Sequence, residues 1–270
     1  MDTTSIFSCR VGTTDSSVAL GLEIWLDNQQ IFSSDHVAEE QLFEYNISED
    51  SAEHELKFVL KNKTDQDTVV DNLNIDANYI YVVQKSHRKN YNLDTLLNLI
   101  TPGCKIVEVD GVTDGAACTA LLAKEYINNN SPLFFSNSDQ FVEWDSNEFM
   151  YKMNETDSDG GIVTFKSTHP KWSFARMDSN GLISEVAEKN PISDNATVGF
   201  YYWKCGSDFV KYAEQMIEKN IRVNNEFYVC PVFNEAIRDG KKIRAYEVKN
   251  MWGLGTPEDL DLYLKKQNNL

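Results

Sequence analysis

The hydrophobic period of this chain changes near Thr68, and that change restricts its fold more than any other feature of the sequence. Before Thr68, apolar residues recur at every second position. Leu20-Gly21-Leu22-Glu23-Ile24-Trp25-Leu26 alternates, Asp27-Asn28-Gln29-Gln30 supplies a turn, and Ile31-Phe32 resumes the pattern. Leu42 to Ile47 and His54 to Leu60 repeat it between clusters of Asp, Asn and Ser. Side chains leave a strand on alternate faces, so this spacing predicts antiparallel strands with one wetted face. Residues 1–68 are expected to form a small antiparallel β-rich domain without helices, a sandwich or half of one.

After Thr68 strands and helices alternate. Tyr79-Ile80-Tyr81-Val82-Val83 is a compact apolar run, as expected of a strand covered on both faces. Asp94 to Ile100 has helical spacing and is closed by Thr101-Pro102-Gly103. Lys105 to Val109 gives another strand. Asp114 to Asn128 gives a helix with Ala117, Leu121, Leu122 and Ile127 as its apolar positions, and Pro132 to Phe135 gives a third strand. Gly160 to Phe165 and Ala196 to Trp203 continue the series. Alternation at this spacing predicts right-handed βαβ units, and residues 69–270 are expected to form an α/β domain with a mostly parallel sheet.

Composition narrows the function classes. Asp and Glu number 42 against 25 Lys and Arg, a net charge of −17 that repels duplex DNA and anionic membranes at long range. No nucleic-acid or membrane partner is expected. A phosphorylated ligand is still admissible if local donors or a divalent cation meet it. No apolar run reaches the ~18 residues that suggest a membrane span, and Met1-Asp2-Thr3-Thr4 lacks a basic flank, so a cytoplasmic protein is expected. Cys9, Cys104, Cys118, Cys205 and Cys230 form no CxxC pair and are expected to be reduced, buried thiols rather than zinc ligands.

Four segments carry possible chemistry. Asp110-Gly111-Val112-Thr113-Asp114-Gly115-Ala116-Ala117 ends a strand, turns at glycine and opens a helix in small residues. Small residues let a flat ligand approach the backbone, although an ordinary strand–helix turn looks the same. Leu133-Phe134-Phe135-Ser136-Asn137-Ser138-Asp139 puts an acid just past the carboxyl end of a strand, where open α/β sheets bind ligands. Such an Asp holds Mg2+ in some sites and caps the next turn in others. Ser173-Phe174-Ala175-Arg176-Met177 runs into Asp178-Ser179-Asn180-Gly181, a hairpin turn, and then to Glu188-Lys189-Asn190-Pro191. Met251-Trp252-Gly253-Leu254-Gly255-Thr256-Pro257-Glu258-Asp259 ends in a helix start, with Thr256 as N-cap and Pro257 at the first helical position.

In this order the segments resemble the sugar nucleotidyltransferases, or NDP-sugar pyrophosphorylases, from Val69-Val70-Asp71-Asn72-Leu73 to the end of the chain. The resemblance implies a Rossmann-like, mostly parallel nucleotidyltransferase sheet with helices on both faces. It also implies a reaction in which an NTP and a sugar 1-phosphate give an NDP-sugar and pyrophosphate, with Mg2+ as cofactor. By position, Gly115 and Ala116 would lie against the nucleobase and ribose, and Asp139 would be a catalytic Mg2+ ligand. Glu188 would bind sugar hydroxyls, Lys189 would meet the sugar phosphate, and Ser173, Asn225 and Glu226 would line the sugar side. A homo-oligomer is compatible with this reading.

The chain departs from the family at three places. Members open with a strand, an Arg-bearing Gly-rich loop and a Pro-Lys pair that grip the triphosphate, whereas Gly12-Thr13-Thr14 supplies none of these. The family's Trp-x-Asp reads Trp252-Gly253-Leu254, and Leu254 cannot bind a metal. Asn190 intervenes between Lys189 and Pro191, and Ser173 replaces a glycine. Without its first strand the sheet would have two inner edges, which Lys57 to Leu60 is a candidate to fill. Two other functions compete. Asp157-Ser158-Asp159 is the Asp-x-Asp of a metal-dependent glycosyltransferase, or a solvated turn; Trp25 and Phe32 are a glycan- or partner-binding platform in a non-catalytic fusion, or core residues. Trp172, Tyr201, Tyr202 and Trp203 either shape a sugar pocket or pack a strand.

Overall fold

A computed structural model describes residues 72–254, five strands within residues 4–62, and Asp259, Leu262, Tyr263 and Lys265. Contacts divide the chain into one unit over Met1–Asn72 with Leu264–Leu270 and another over Leu73–Tyr263. In the first, β1 (Thr4–Val11) pairs antiparallel with a later strand, β4 (Gln41–Ser48). β2 (Leu20–Leu26) lies between β3 (Gln29–Val37) and β5 (Leu56–Asn62), antiparallel to both. The side chains of Trp25 and Phe32, the Gly12-Thr13-Thr14 segment, Val69 to Asp71 and the helix start at Thr256-Pro257 lie outside the described residues.

The second unit begins with β6 (Ile80–Gln84), two helices, α1 (Lys85–Asn90) and α2 (Leu93–Ile100), and β7 (Lys105–Val109). β6 and β7 pair in parallel as a two-stranded sheet, joined by the helical crossover that parallel pairing demands. The helix predicted over 114–128 is broken into α3 (Ala116–Leu121) and α4 (Lys124–Ile127). At the break Leu122 N bonds Thr119 O at 3.1 Å and Ala123 N bonds Ala120 O at 3.1 Å, so the chain tightens to a three-residue turn. The helix α1 was not anticipated: Lys85-Ser86-His87-Arg88-Lys89-Asn90 has no apolar period and no buried residue.

The larger sheet has six strands. β8 (Leu133–Phe135) is followed by β9 (Gln140–Val142), α5 (Ser146–Glu155), β10 (Gly160–Lys166), β11 (Ser173–Met177), β12 (Ile183–Glu188) and β13 (Asn195–Trp203). α6 (Gly206–Glu218), α7 (Val232–Arg238), β14 (Ile243–Glu247) and β15 (Met251–Gly253) complete the unit. The order is β12-β11-β13-β10-β14, with β8 also on β13.

The expected mostly parallel sheet is met only in part. β10 and β14 are parallel, but β13 runs antiparallel to β8, β10 and β11, and β11 antiparallel to β12. A short connection causes the β11–β12 reversal. Gly181 at φ 73° turns the chain between β11 and β12, and a tight turn can join only antiparallel neighbours. Nor does Lys57 to Leu60 enter the α/β sheet: Lys57 pairs with Trp25 and Leu60 with Leu22.

β13 is the centre of the core, and all nine of its residues are buried. Tyr201 and Trp203 face Phe209, Tyr212 and Met216 of α6 and Phe233 of α7; Val198, Phe200 and Tyr202 share the other cluster with Phe149 and Met153 of α5. Helices therefore cover both faces, as expected. Each helix presents its face for a sequence reason. Phe149 and Met153 are four apart, and Asp145 caps α5 by accepting from the amides of Asn147 at 2.9 Å and Glu148 at 3.1 Å. Phe209, Ala213 and Met216 form the inner stripe of α6. No described helix is long and apolar enough to cross a membrane.

Candidate functional site

The antiparallel register of β11 and β12 sets Ser173 directly opposite Glu188. Buried Ser173 donates its Oγ hydrogen to the Glu188 carboxylate, which is half-buried at the end of its strand. Beneath them the Tyr201 hydroxyl lies 3.0 Å from Thr197 Oγ1, and the buried Cys230 is close enough to feel the Glu188 charge. Burial pushes the Glu188 carboxyl up; the Ser173 hydrogen bond and Lys189 oppose that shift, and Glu226 adds to it. Burial likewise pushes the Cys230 thiol well up, so this cysteine is a neutral small side chain and not a nucleophile.

Lys189 follows at φ 52°, the left-handed region that side chains rarely adopt. Its amide bonds Trp172 O at 3.0 Å, and its exposed ammonium donates to the Tyr228 hydroxyl at 2.8 Å. Asn224 and Asn225, at φ 49° and 65°, make a tight turn closed by Val223 N to Glu226 O at 3.0 Å and Glu226 N to Val223 O at 2.9 Å. That turn brings Glu226 into electrostatic range of Glu188, Lys189 and Tyr228.

Gly115 and Ala116 adjoin the same turn. Phe227 N donates to Asp114 O at 2.8 Å and Ala117 N to Phe227 O at 2.9 Å, which staples the start of α3 to the residue after Glu226. Arg222 holds the two segments together: it pairs with Asp114 at 2.9 Å, bonds Asn225 O at 2.8 Å and lies 4.0 Å from the Phe227 ring centre. The Thr113 and Thr119 hydroxyls lie 2.6 Å apart and 3.0 and 3.2 Å from Gly115 O, so one donates to the other and the second donates to that carbonyl. Arg222 and Tyr228 carried no sequence signal, because each is defined by a partner far along the chain.

Asp139 is exposed between β8 and β9, and no described contact joins it to that cluster. Its carbonyl accepts from Leu254 N at 2.7 Å as β15 pairs with β9. Asn137 and Gln140, on either side of it, sit over Gly199 at φ 85°, where a Cβ would lie 2.5 Å from Asn137 Nδ2 and 2.8 Å from Gln140 Oε1. Among the described residues no group of three His, Cys, Asp or Glu could hold a metal. One exposed carboxylate beside neutral amides suits Mg2+ that takes most ligands from phosphates and water, and does not suit a protein-caged ion.

The Asp-x-Asp reading finds no support. Asp157 pairs with Lys204, while Asp159 pairs with Lys241 at 3.2 Å and accepts from Lys242 N at 2.9 Å. These acids tie the start of β10 to its neighbours. Of the aromatics considered for a sugar pocket, Tyr202 and Trp203 are core residues, Tyr201 faces the cluster under Glu188, and Trp172 packs edge-on against Phe165 at 5.4 Å.

No protein-family model matches this chain, and no curated protein sequence does. Solved structures do match. A nucleoside-diphosphate-sugar pyrophosphorylase from Vibrio cholerae RC9 superposes with a TM-score of 0.61 at 21% identity, over 73% of this chain and 84% of that one. The chain has a nucleotidyltransferase fold. A UDP-glucose pyrophosphorylase complexed with UDP-glucose matches at 0.56 and 16% identity, over 74% and 86%. An inositol-1-phosphate CTP transferase from T. maritima matches at 0.53 and 14%, over 71% and 76%. Within the nucleotidyltransferase fold, the cluster at the end of β12 is the candidate site.

The half-buried carboxyl of that site makes stability depend on pH. A carboxyl raised by burial contributes stability that is present below its unfolded pKa and lost as pH rises through its folded pKa. Glu188→Gln keeps a hydrogen-bonding partner for Ser173 and removes the buried charge. Its unfolding midpoint should exceed that of the wild type at about pH 8 and match it at about pH 3, where both forms are neutral. Equal midpoints at both pH values would contradict the raised carboxyl.

Proposed function

We propose that this protein is a nucleotidyltransferase of sugar-nucleotide metabolism, acting on an NTP and a sugar 1-phosphate. The observation that carries this reading is the convergence of Ser173, Glu188, Lys189, Glu226 and Tyr228 at one end of β12, stapled through Phe227 to the Gly115 turn. A charged ammonium beside hydrogen-bonding carboxylates suits a sugar that carries phosphate. Glu188 and Glu226 accept from sugar hydroxyls, and Lys189 offsets phosphate charge. A phosphate oxygen of the sugar attacks the α-phosphorus of the NTP, the new P–O bond forms, and the bond to the leaving pyrophosphate breaks. Such a displacement needs alignment and charge neutralisation, with no protein nucleophile. Mg2+ would enter with the nucleotide and supply the charge neutralisation of the leaving group, and Asp139 is the residue that would hold it.

On the resemblance, residues 1–68 would supply neither an Arg-bearing Gly-rich loop nor a Pro-Lys pair, and binding of sugar 1-phosphate by this chain would then be better preserved than turnover. The test is pyrophosphate release by the full chain with Mg2+ across NTPs and sugar 1-phosphates. Turnover that falls at least about a hundredfold in Asp139→Ala would support the transfer reaction and the metal role. A folded wild-type chain that releases no pyrophosphate with any pair would refute the transfer reaction and leave a binding protein.

A further inference from the structure

Neither the motifs nor the proposed reaction gives Tyr228 a task. Its position is specific. The Lys189 ammonium stands 4.9 Å from the ring centre and donates to the hydroxyl at 2.8 Å. Two carboxylates, Glu188 and Glu226, are within electrostatic range of that ammonium. Yet among the described residues Lys189 makes no ion pair with either, and its hydrogen bond goes to Tyr228. Here the left-handed backbone at φ 52° turns the side chain off the end of β12, and Tyr228 receives it.

We propose, on the reading of this site as one for a sugar 1-phosphate, that Tyr228 is the positioning residue of Lys189. It keeps the ammonium off Glu188 and Glu226 and open to a ligand phosphate. A phenol oxygen accepts from the ammonium and carries no charge of its own, so the lysine is held without being neutralised. No carboxylate in this place could do so without cancelling the charge that the phosphate needs. Tyr228 thereby confers a preference for phosphorylated sugars over free sugars, whichever sugar the pocket takes.

The test uses the full chain, a panel of glucose 1-phosphate, galactose 1-phosphate and the two free sugars, and titration calorimetry. Tyr228→Phe keeps the ring and removes the hydroxyl. It should weaken the sugar 1-phosphates about fivefold and leave the free sugars unchanged. Lys189→Met should abolish the preference. A second readout separates positioning from packing: the Tyr228 hydrogen bond is the largest influence raising the Lys189 pKa, so the Lys189 side-chain resonance should titrate at lower pH in Tyr228→Phe. Wild-type binding retained in full by Tyr228→Phe, with an unmoved Lys189 titration, overturns the role of Tyr228 alone. Equal weakening of sugars and sugar phosphates overturns it in favour of packing. A folded wild-type chain that binds no sugar 1-phosphate overturns both this role and the proposed function.

Discussion

Gly115→Ala is expected to open the junction between the start of α3 and the 222–228 segment, at a cost of about 3 kcal/mol. Two effects add at this position. Gly115 has φ 124°, a conformation that an alanine adopts only under strain. In addition, a Cβ there would lie 2.5 Å from Phe227 O and 2.6 Å from Phe227 N, both backbone atoms with no freedom to rotate away. Those same two atoms make the bonds to Ala117 N and Asp114 O, so the methyl group forces both apart. Hydrogen exchange at Ala117 and Phe227 should accelerate about a hundredfold, and on the proposed function nucleotide and sugar 1-phosphate binding should fall together, because the staple would join their two sides. Gly181→Ala is the control. It also has positive φ, at 73°, but nothing lies within 4 Å of its Cβ, so about 1 kcal/mol is expected and no loss of binding. If the two alanine variants behave alike, the close approach to Phe227 is not what Gly115 is for.

Trp203→Ala is expected to cost about 4 kcal/mol, the largest effect of any single truncation named here. Trp203 is among the largest fully buried side chains. Its ring stacks on Phe233 at 4.2 Å and 12°, with Phe209 at 5.9 Å and Tyr212 at 6.1 Å. Removing it leaves a cavity bounded by β13, α6 and α7 that rigid strands cannot close. Trp203→Phe should cost about 1 kcal/mol, since Nε1 is buried with no hydrogen-bond partner among the described residues and phenylalanine removes that donor. Hydrogen exchange of β13 in the full chain measures both. Equal costs for the two variants would mean that the indole is held by something other than packing.

Local periodicity made much of the second unit legible. Lys105 to Val109 is a strand with the expected bounds, and β10 and β13 differ from expectation by one residue at an end. Such signals survive because each depends on neighbours in sequence: a buried strand must be apolar throughout, and a turn must carry Gly or Asn. The site was legible as residue types and not as an arrangement. Ser173 and Glu188 meet only through a hairpin register, and Arg222 reaches Asp114 across 108 positions. No pattern within a short window could have named Arg222 or Tyr228.

Sequence alone determined where the period changes, several of the strands, and which acids, lysine and glycines stand at their ends; these follow from side-chain geometry over a few residues. Only the tertiary structure decided the direction of β13, the separation of β6 and β7 into their own parallel pair, and the pairing of Lys57 to Leu60 with β2 instead of the α/β sheet. It also decided that Lys189 rests on Tyr228 while Asp139 stands apart. Strand direction and partner choice are set by connection lengths and by the burial available to the whole unit, and those quantities exist only once distant segments have packed.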